Sequence, residues 1–176
     1  MNPASDLTAG AVQVRLFQPG DEHAIADIYN HYILNTTVTF EEVPLSPEQM
    51  RERIETYRAH HPWLVCVVDG RVAGYAYGAK FHARAAFRHT LEASVYLRAG
   101  MERRGLGRAL YQALMPMLQA QGCHTLIAVI SLPHEASVAL HESLGFTPSG
   151  RLPQVGHKFG QWLDIGYWSL RLGNPV

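Results

Sequence analysis

Two cysteines in 176 residues exclude a disulfide-stapled scaffold. Cys66 and Cys123 lie far apart, in apolar runs, without C-x-x-C spacing. They read as reduced core thiols. Net charge is missing as well, since 15 Lys and Arg balance 15 Asp and Glu. That balance excludes a surface field of one sign, and with it broad adhesion to nucleic acid or membrane. Any anion site must be local. No apolar run approaches the roughly 18 residues of a membrane span. The start, MNPASDLTAGAVQVR, has neither the basic opening nor the apolar core of a secretory signal, so a cytoplasmic protein is expected. The ten histidines are scattered without H-E-x-x-H or similar spacing, and no metal site is expected. No repeat, linker or low-complexity block divides the sequence.

What is present is a globular composition, 47% hydrophobic and 17% charged, in a length suited to one buried core. Residues 1–11 read as a loose tail, and residues 12–172 as one domain. VRLF (14–17) predicts a strand. Ile25, Ile28, Tyr29 and Ile33 recur at helical spacing over 21–34. Ser46-Pro47-Glu48-Gln49 has the form of a capping box with proline at the first helical position, opening a helix that runs to about Arg58. WLVCVV, Asp69-Gly70 and RVAGYAYG predict a hairpin. Strands follow at 90–97, 124–130 and 162–170. Between them lie a long helix lined by Leu106, Leu110, Leu114, Met117 and Leu118 and a short one over 137–144. Pro116 predicts a kink or an early end to the long helix. Strand and helix alternate in the second half, so the expected class is α/β with a mixed sheet.

One stretch stands apart: EASVYLRAGMERRGLGRALYQALMPML, residues 92–118. Arg98, Arg103, Arg104 and Arg108 crowd around Gly105 and Gly107 where a strand gives way to a helix. Like charges at this density make sense if an anion sits among them. A helix N-terminus offers free backbone N–H groups and the positive end of the helix dipole, which together suit phosphate. G-x-x-x-x-G-K-[ST] is absent, and G-x-G-x-x-G fails at Leu110. A solvated basic turn is the plainer alternative.

Five further pieces sit in order around this loop: TTVTFEEVP, HPWLVCVVDGRVAGYAYG, FHARAAFRHTLEASVYL, SLPHEASVALHESLGF and VGHKFGQWLDIGYW. Together they resemble the GNAT N-acetyltransferase superfamily, and within it the phosphinothricin and methionine sulfoximine acetyltransferases. The resemblance covers roughly residues 14–170. It implies the GNAT fold, a mixed but mostly antiparallel sheet with flanking helices, whose splayed strand pair binds acetyl-CoA. It also implies acetyl transfer, without a metal, to a small-molecule amine such as the α-amine of an amino-acid analogue, and a homodimer. The rival readings are another acceptor, such as a polyamine or a protein N-terminus, or a sensor that binds acyl-CoA without catalysis.

The resemblance carries over to particular positions. Arg103, Arg104, Gly105, Leu106, Gly107 and Arg108 match the pyrophosphate loop. Val95, Tyr96 and Leu97 match the strand that meets pantetheine, and Ser137 a coenzyme contact or helix cap. Glu92 matches the general base and His141 the residue that handles the leaving thiolate. Phe40, His82, Arg84 and Lys158 match positions around the acceptor, with Arg84 as the carboxylate partner. Three positions depart from the pattern. Glu102 stands where Gln or Arg is usual, and is expected to face solvent or pair with an arginine. His134 replaces an asparagine, and Phe87 a tyrosine.

Overall fold

The computed structural model describes residues 12–173. The tail expected over 1–11 lies outside the described residues. The capping box forms as the sequence predicts. Ser46 accepts from the Gln49 N–H and Gln49 reaches back to the Ser46 N–H, starting the helix Pro47–Arg58. The Asp69-Gly70 turn also forms, with φ of 50° and 75°. This pair of positive values joins the strands Trp63–Val68 and Arg71–Lys80 into a tight hairpin.

In chain order the elements are β1 (Val12–Leu16), α1 (Asp21–Asn35), α2 (Pro47–Arg58), β2 (Trp63–Val68), β3 (Arg71–Lys80), a 3₁₀ turn (Ala85–Phe87), β4 (Thr90–Leu97), α3 (Leu106–Ala120), β5 (Thr125–Leu132), α4 (Glu135–Ser143), β6 (Thr147–Lys158) and β7 (Gln161–Arg171). They build one seven-stranded sheet in the order β1-β2-β3-β4-β5-β7-β6. Every neighbouring pair is antiparallel except β4 and β5.

Alternation along the strands feeds two cores, one on each face. Leu106, Leu110, Leu114 and Leu118 of α3 pack with Leu91, Ala93, Leu126 and Ala128 on one side. Ile25, Ile28 and Ile33 of α1 and Met50 and Ile54 of α2 pack with Trp63, Val65 and Tyr75 on the other. Cys66 and Cys123 are both buried free thiols, as expected.

Three expectations change. The helix α3 does not stop early at Pro116 but runs on to Ala120. Pro116 is exposed, so the carbonyl it leaves unbonded one turn earlier can face water. The strand β6 is absent from the sequence reading. Pro148, Pro153 and two glycines disguise it, and it tolerates them because it is the edge strand and breaks register at Pro148/Gly150 and Leu152/Gly156. The short helix α4 begins at Glu135 rather than Ser137.

Candidate active site

The sheet comes apart between β4 and β5. Their pairing ends after three rungs, Thr90 with Thr125, Leu91 with Leu126 and Glu92 with Ile127. Beyond that point the gap opens into a cavity. It is lined by Ala93 to Tyr96 from one strand, Ala128 to Ser131 from the other, and Val38, Tyr111, His134, Ser137 and His141.

The edge groups on β4 can be assigned. The Arg98 N–H donates to Ala73 O across the β3 register, so the even-numbered residues of β4 bond to β3. The peptide groups of Ala93, Val95 and Leu97 therefore face the gap. One of their carbonyls is already occupied, since Leu97 O accepts from Tyr32 at 2.7 Å. Ala93 O lies 3.2 Å from the Tyr111 hydroxyl, whose single proton goes to His141 instead. Val95 is left with both its N–H and its C=O toward the gap. This narrows the expectation for Val95, Tyr96 and Leu97. The peptide of Tyr96 serves β3, and its ring packs among Tyr29, Tyr32 and Tyr75.

The arginine loop follows β4 in the chain, and none of residues 98–108 lines the cavity. No side chain caps α3. Its N-cap is Gly105 at φ 77°, two residues after Arg103 at φ 58°. Left-handed residues alternating with ordinary ones turn successive N–H groups toward one concave side. Arg103, Arg104 and Arg108 are exposed around it. Arg104 reaches only Met101 Sδ, and Arg108 the Ser143 carbonyl. Glu102 pairs with no arginine. Its carboxylate accepts from the Gly100 N–H at 2.9 Å, which holds it in the turn.

Glu92 sits on the last paired rung, at the closed end of the gap. It is half-buried, and burial pushes its carboxyl up. Neither Arg84 nor Arg88 anchors it, which removes the plainest structural role for its charge.

His141 is buried and both its nitrogens are engaged. Nδ1 lies 2.7 Å from Ser137 O, an acceptor only, so Nδ1 carries the proton. Nε2 then accepts from the Tyr111 hydroxyl at 2.8 Å. Burial holds the imidazole below its ordinary pKa, and hence neutral. Burial, and after it the nearby Glu92 charge, pushes the Tyr111 hydroxyl up. Ser137 is not the helix cap. That role falls to His134, whose Nδ1 accepts from the Ser137 N–H.

The acceptor-side candidates are more dispersed, and none of the four lines the cavity. His82 and Arg84 are exposed on the β3–β4 connection. The Arg84 N–H donates to His82 Nδ1, and no carboxylate among the described residues pairs with its guanidinium. Phe40 lies over Gly156. Lys158 is only 2% exposed and donates to Thr39 O, so it does not stand open to a substrate.

Comparison with known proteins agrees with this geometry. Residues 14–166 match the model of the acetyltransferase (GNAT) domain. The chain is 42% identical over 157 residues to the phosphinothricin N-acetyltransferase of Streptomyces viridochromogenes, covering 89% of this chain and 86% of that one. It is 39% identical over 155 residues to an L-methionine sulfoximine/L-methionine sulfone acetyltransferase of Pseudomonas aeruginosa, covering 86% and 90%. A phosphinothricin acetyltransferase from Sinorhizobium meliloti, solved with acetyl-CoA, superposes with a TM-score of 0.89 at 36% identity, covering 92% and 89%.

The chain belongs to the GNAT acetyltransferase family. It has the GNAT fold and is an acetyltransferase.

The residues present fit the acetyl-CoA that GNAT acetyltransferases use. An elongated amide-bearing arm requires a slot with unpaired peptide groups, and Val95 offers them. The Ser131 hydroxyl is 6% exposed, lines the gap and has no hydrogen-bond partner among the described residues. A buried hydroxyl without a partner is costly unless a ligand completes it. Gly107 faces the Leu140 side chain so closely that a Cβ would lie 3.0 Å from it, which keeps the top of α3 tight against α4.

Sequence reading missed Tyr111, Tyr32 and Ser131. Tyr111 left a trace, being a polar-tipped residue on the buried stripe of α3. Tyr32 and Ser131 left none, because their roles depend on strands and helices far apart in sequence.

Proposed function

We propose that the protein transfers the acetyl group of acetyl-CoA to the α-amine of a small amino-acid analogue of the phosphinothricin, methionine sulfoximine or methionine sulfone type. One observation carries this reading. A half-buried Glu92, with no hydrogen-bond or ion-pair partner among the described residues, stands on the last β4–β5 rung, next to a cavity lined by the hydrogen-bonded pair of Tyr111 and His141. The names of similar proteins support the acceptor class.

When bound, acetyl-CoA supplies an activated thioester, so the chain need only manage protons and position. The Arg103–Arg108 turn binds the diphosphate through N–H groups and guanidinium charge. Val95 pairs the pantetheine amides. Glu92 removes the proton that an ammonium must lose before nitrogen can attack, directly or through a water. Its raised pKa suits that task. As the carbon–sulfur bond breaks, Tyr111, which faces the cavity, gives its hydroxyl proton to the sulfur and regains the one that the acylated nitrogen sheds. His141 accepts from that hydroxyl at Nε2, and so orients it without supplying a proton. Arg84, an exposed guanidinium on the β3–β4 connection, meets the acceptor's carboxylate.

The protein works as a homodimer. Leu152, Val155, Phe159 and Trp162 are 45–64% exposed on one edge hairpin, β6–β7, an apolar surface suited to a second copy. The two free thiols accord with a reducing, cytoplasmic setting.

Release of free CoA thiol would be followed with acetyl-CoA against methionine sulfone, methionine sulfoximine, phosphinothricin, the common amino acids, a polyamine and a peptide. Turnover greatest with the first three is expected. Turnover confined to the polyamine or the peptide would overturn the acceptor assignment, and turnover with none would overturn catalysis.

A further inference from the structure

The loop between α1 and α2 runs along the acceptor side of the gap, and Val38 within it forms part of the cavity wall. Local turns shape it, with the Val38 N–H donating to the Thr36 hydroxyl at 3.2 Å and the Glu41 N–H to the Thr39 hydroxyl at 3.3 Å. It has no helix or strand, and its neighbours Val43 and Phe40 are exposed. What ties it to the rest of the molecule comes from elsewhere in the chain.

Two come from the β6–β7 hairpin. The ring of Phe40 rests on the bare backbone of Gly156, where a Cβ would lie 2.0 Å from Phe40 Cε1. Lys158 spans 119 residues to donate from Nζ to Thr39 O at 2.8 Å, with the Phe159 ring 5.0 Å away. Burying a lysine is costly, and this one makes no salt bridge among the described residues. Its charge is spent on holding one backbone carbonyl.

Two more come from the helices. Arg53 clasps Glu41 at 2.8 and 3.1 Å. The Tyr29 hydroxyl donates to Glu41 at 2.9 Å, which leaves the Thr39 hydroxyl to donate to Tyr29 at 2.9 Å. Thr39 is thus pinned through both its carbonyl and its side chain. It is the residue next to Val38.

We infer that Lys158 and Gly156 are positioning residues for the acceptor amine. They clamp Thr39 and Phe40 to the β6–β7 hairpin and so hold Val38 as the wall of the catalytic cavity. This rests on the acetyltransferase reading of that cavity. Lys158, assigned from sequence to the acceptor, acts on it through the loop instead of touching it.

The test uses Gly156→Ala and Lys158→Met in the full chain, with Gly150→Ala as control. Gly150 lies on the same strand with open space where its Cβ would go, so its variant should match wild type. Amide hydrogen exchange over residues 37–41 should quicken about tenfold or more in both clamp variants, which lose a close contact or a hydrogen bond. KM for methionine sulfone should rise about tenfold or more, since small misplacement of a positioning wall is costly. The Kd of CoA, read by calorimetry, should stay within about twofold, because the diphosphate turn is built from other residues. Unchanged exchange in an active enzyme would overturn the clamp. So would acceptor KM and CoA Kd rising together. A wild type that acetylates no amine would instead remove the catalytic reading, and the positioning role with it.

Discussion

The two halves of the site are built on opposite plans. The half we propose for the coenzyme is nearly one continuous stretch, Glu92 to Arg108. It offers backbone N–H groups shaped by a turn, and Arg103 and Arg104 stand exposed with no carboxylate partner among the described residues. The acceptor half gathers Val38, Thr39, Phe40 and Glu41 with Tyr29, Arg53, Gly156 and Lys158, drawn from four distant parts of the chain. Its polar groups are bonded to one another. Charge left unpaired in the first half does nothing for the fold and is free for a ligand. Charge in the second half is consumed by the fold. Substitutions in the coenzyme half should therefore change binding or rate and leave stability alone. Those in the interior and the acceptor half should change both.

The strongest test of this division is Glu92→Gln. We expect kcat to fall by about 10²- to 10⁴-fold, the usual worth of a general base. Stability should hold or rise, because a half-buried, unpaired carboxylate is removed. The pH profile adds a second reading. Burial raises the Glu92 pKa, so kcat/KM of the wild type should fall as pH drops through that raised value, and this limb should vanish in the glutamine variant. Full activity in the variant would break the assignment.

Next in size is the double variant Arg103→Ala/Arg104→Ala. Charge-assisted contacts of about 1.5–3 kcal/mol each predict a Kd for acetyl-CoA at least about tenfold weaker by calorimetry. Unfolding free energy should change by less than about 0.5 kcal/mol per site, as for ordinary surface positions. A large loss of stability would erase the contrast between the halves.

Tyr111→Phe should cost about 1–3 kcal/mol in urea unfolding. It strips the donor from His141 Nε2 and leaves that buried nitrogen unpaired. Loss of rate without loss of stability would show that the hydroxyl serves chemistry alone.

The smallest effect is a pH dependence of stability. Burial holds both His141 and His134 below the ordinary histidine pKa. The unfolded chain therefore binds more protons than the native one once pH falls through about 6.5, the unfolded value. Stability is full above that pH and declines below it, by at most about 1.4 kcal/mol per pH unit for each group. Unfolding at pH 7.5 and 5.5 should show the decline, reduced in His141→Gln. An equal decline in the variant would assign it to other groups.

Much of this molecule was legible along the chain. The Ser46 capping box, the Asp69-Gly70 hairpin and the leucine stripe of α3 are local patterns with local causes, and all three form. The glycine–arginine turn was legible for the same reason, since the atoms that shape it lie within six residues. β6 was not, because an edge strand bends the rules on proline and glycine that apply elsewhere in a sheet. His141 was singled out along the chain, but its hydrogen-bond partners were not. Only its packing against Tyr111 shows that both nitrogens are engaged. Lys158 was placed near the acceptor, but its ammonium turned out to hold Thr39.

The amino-acid order alone determined the α/β class, the hairpin, the long helix and the glycine–arginine turn at its head. Each follows from periodicity or backbone freedom within a few residues. Tertiary structure alone decided where β4 parts from β5, which peptide edge Tyr32 caps, where Tyr111 meets His141, and what holds the loop beside the cavity. Those are contacts between residues 10 to 119 positions apart, and no local pattern encodes which distant side chain will arrive.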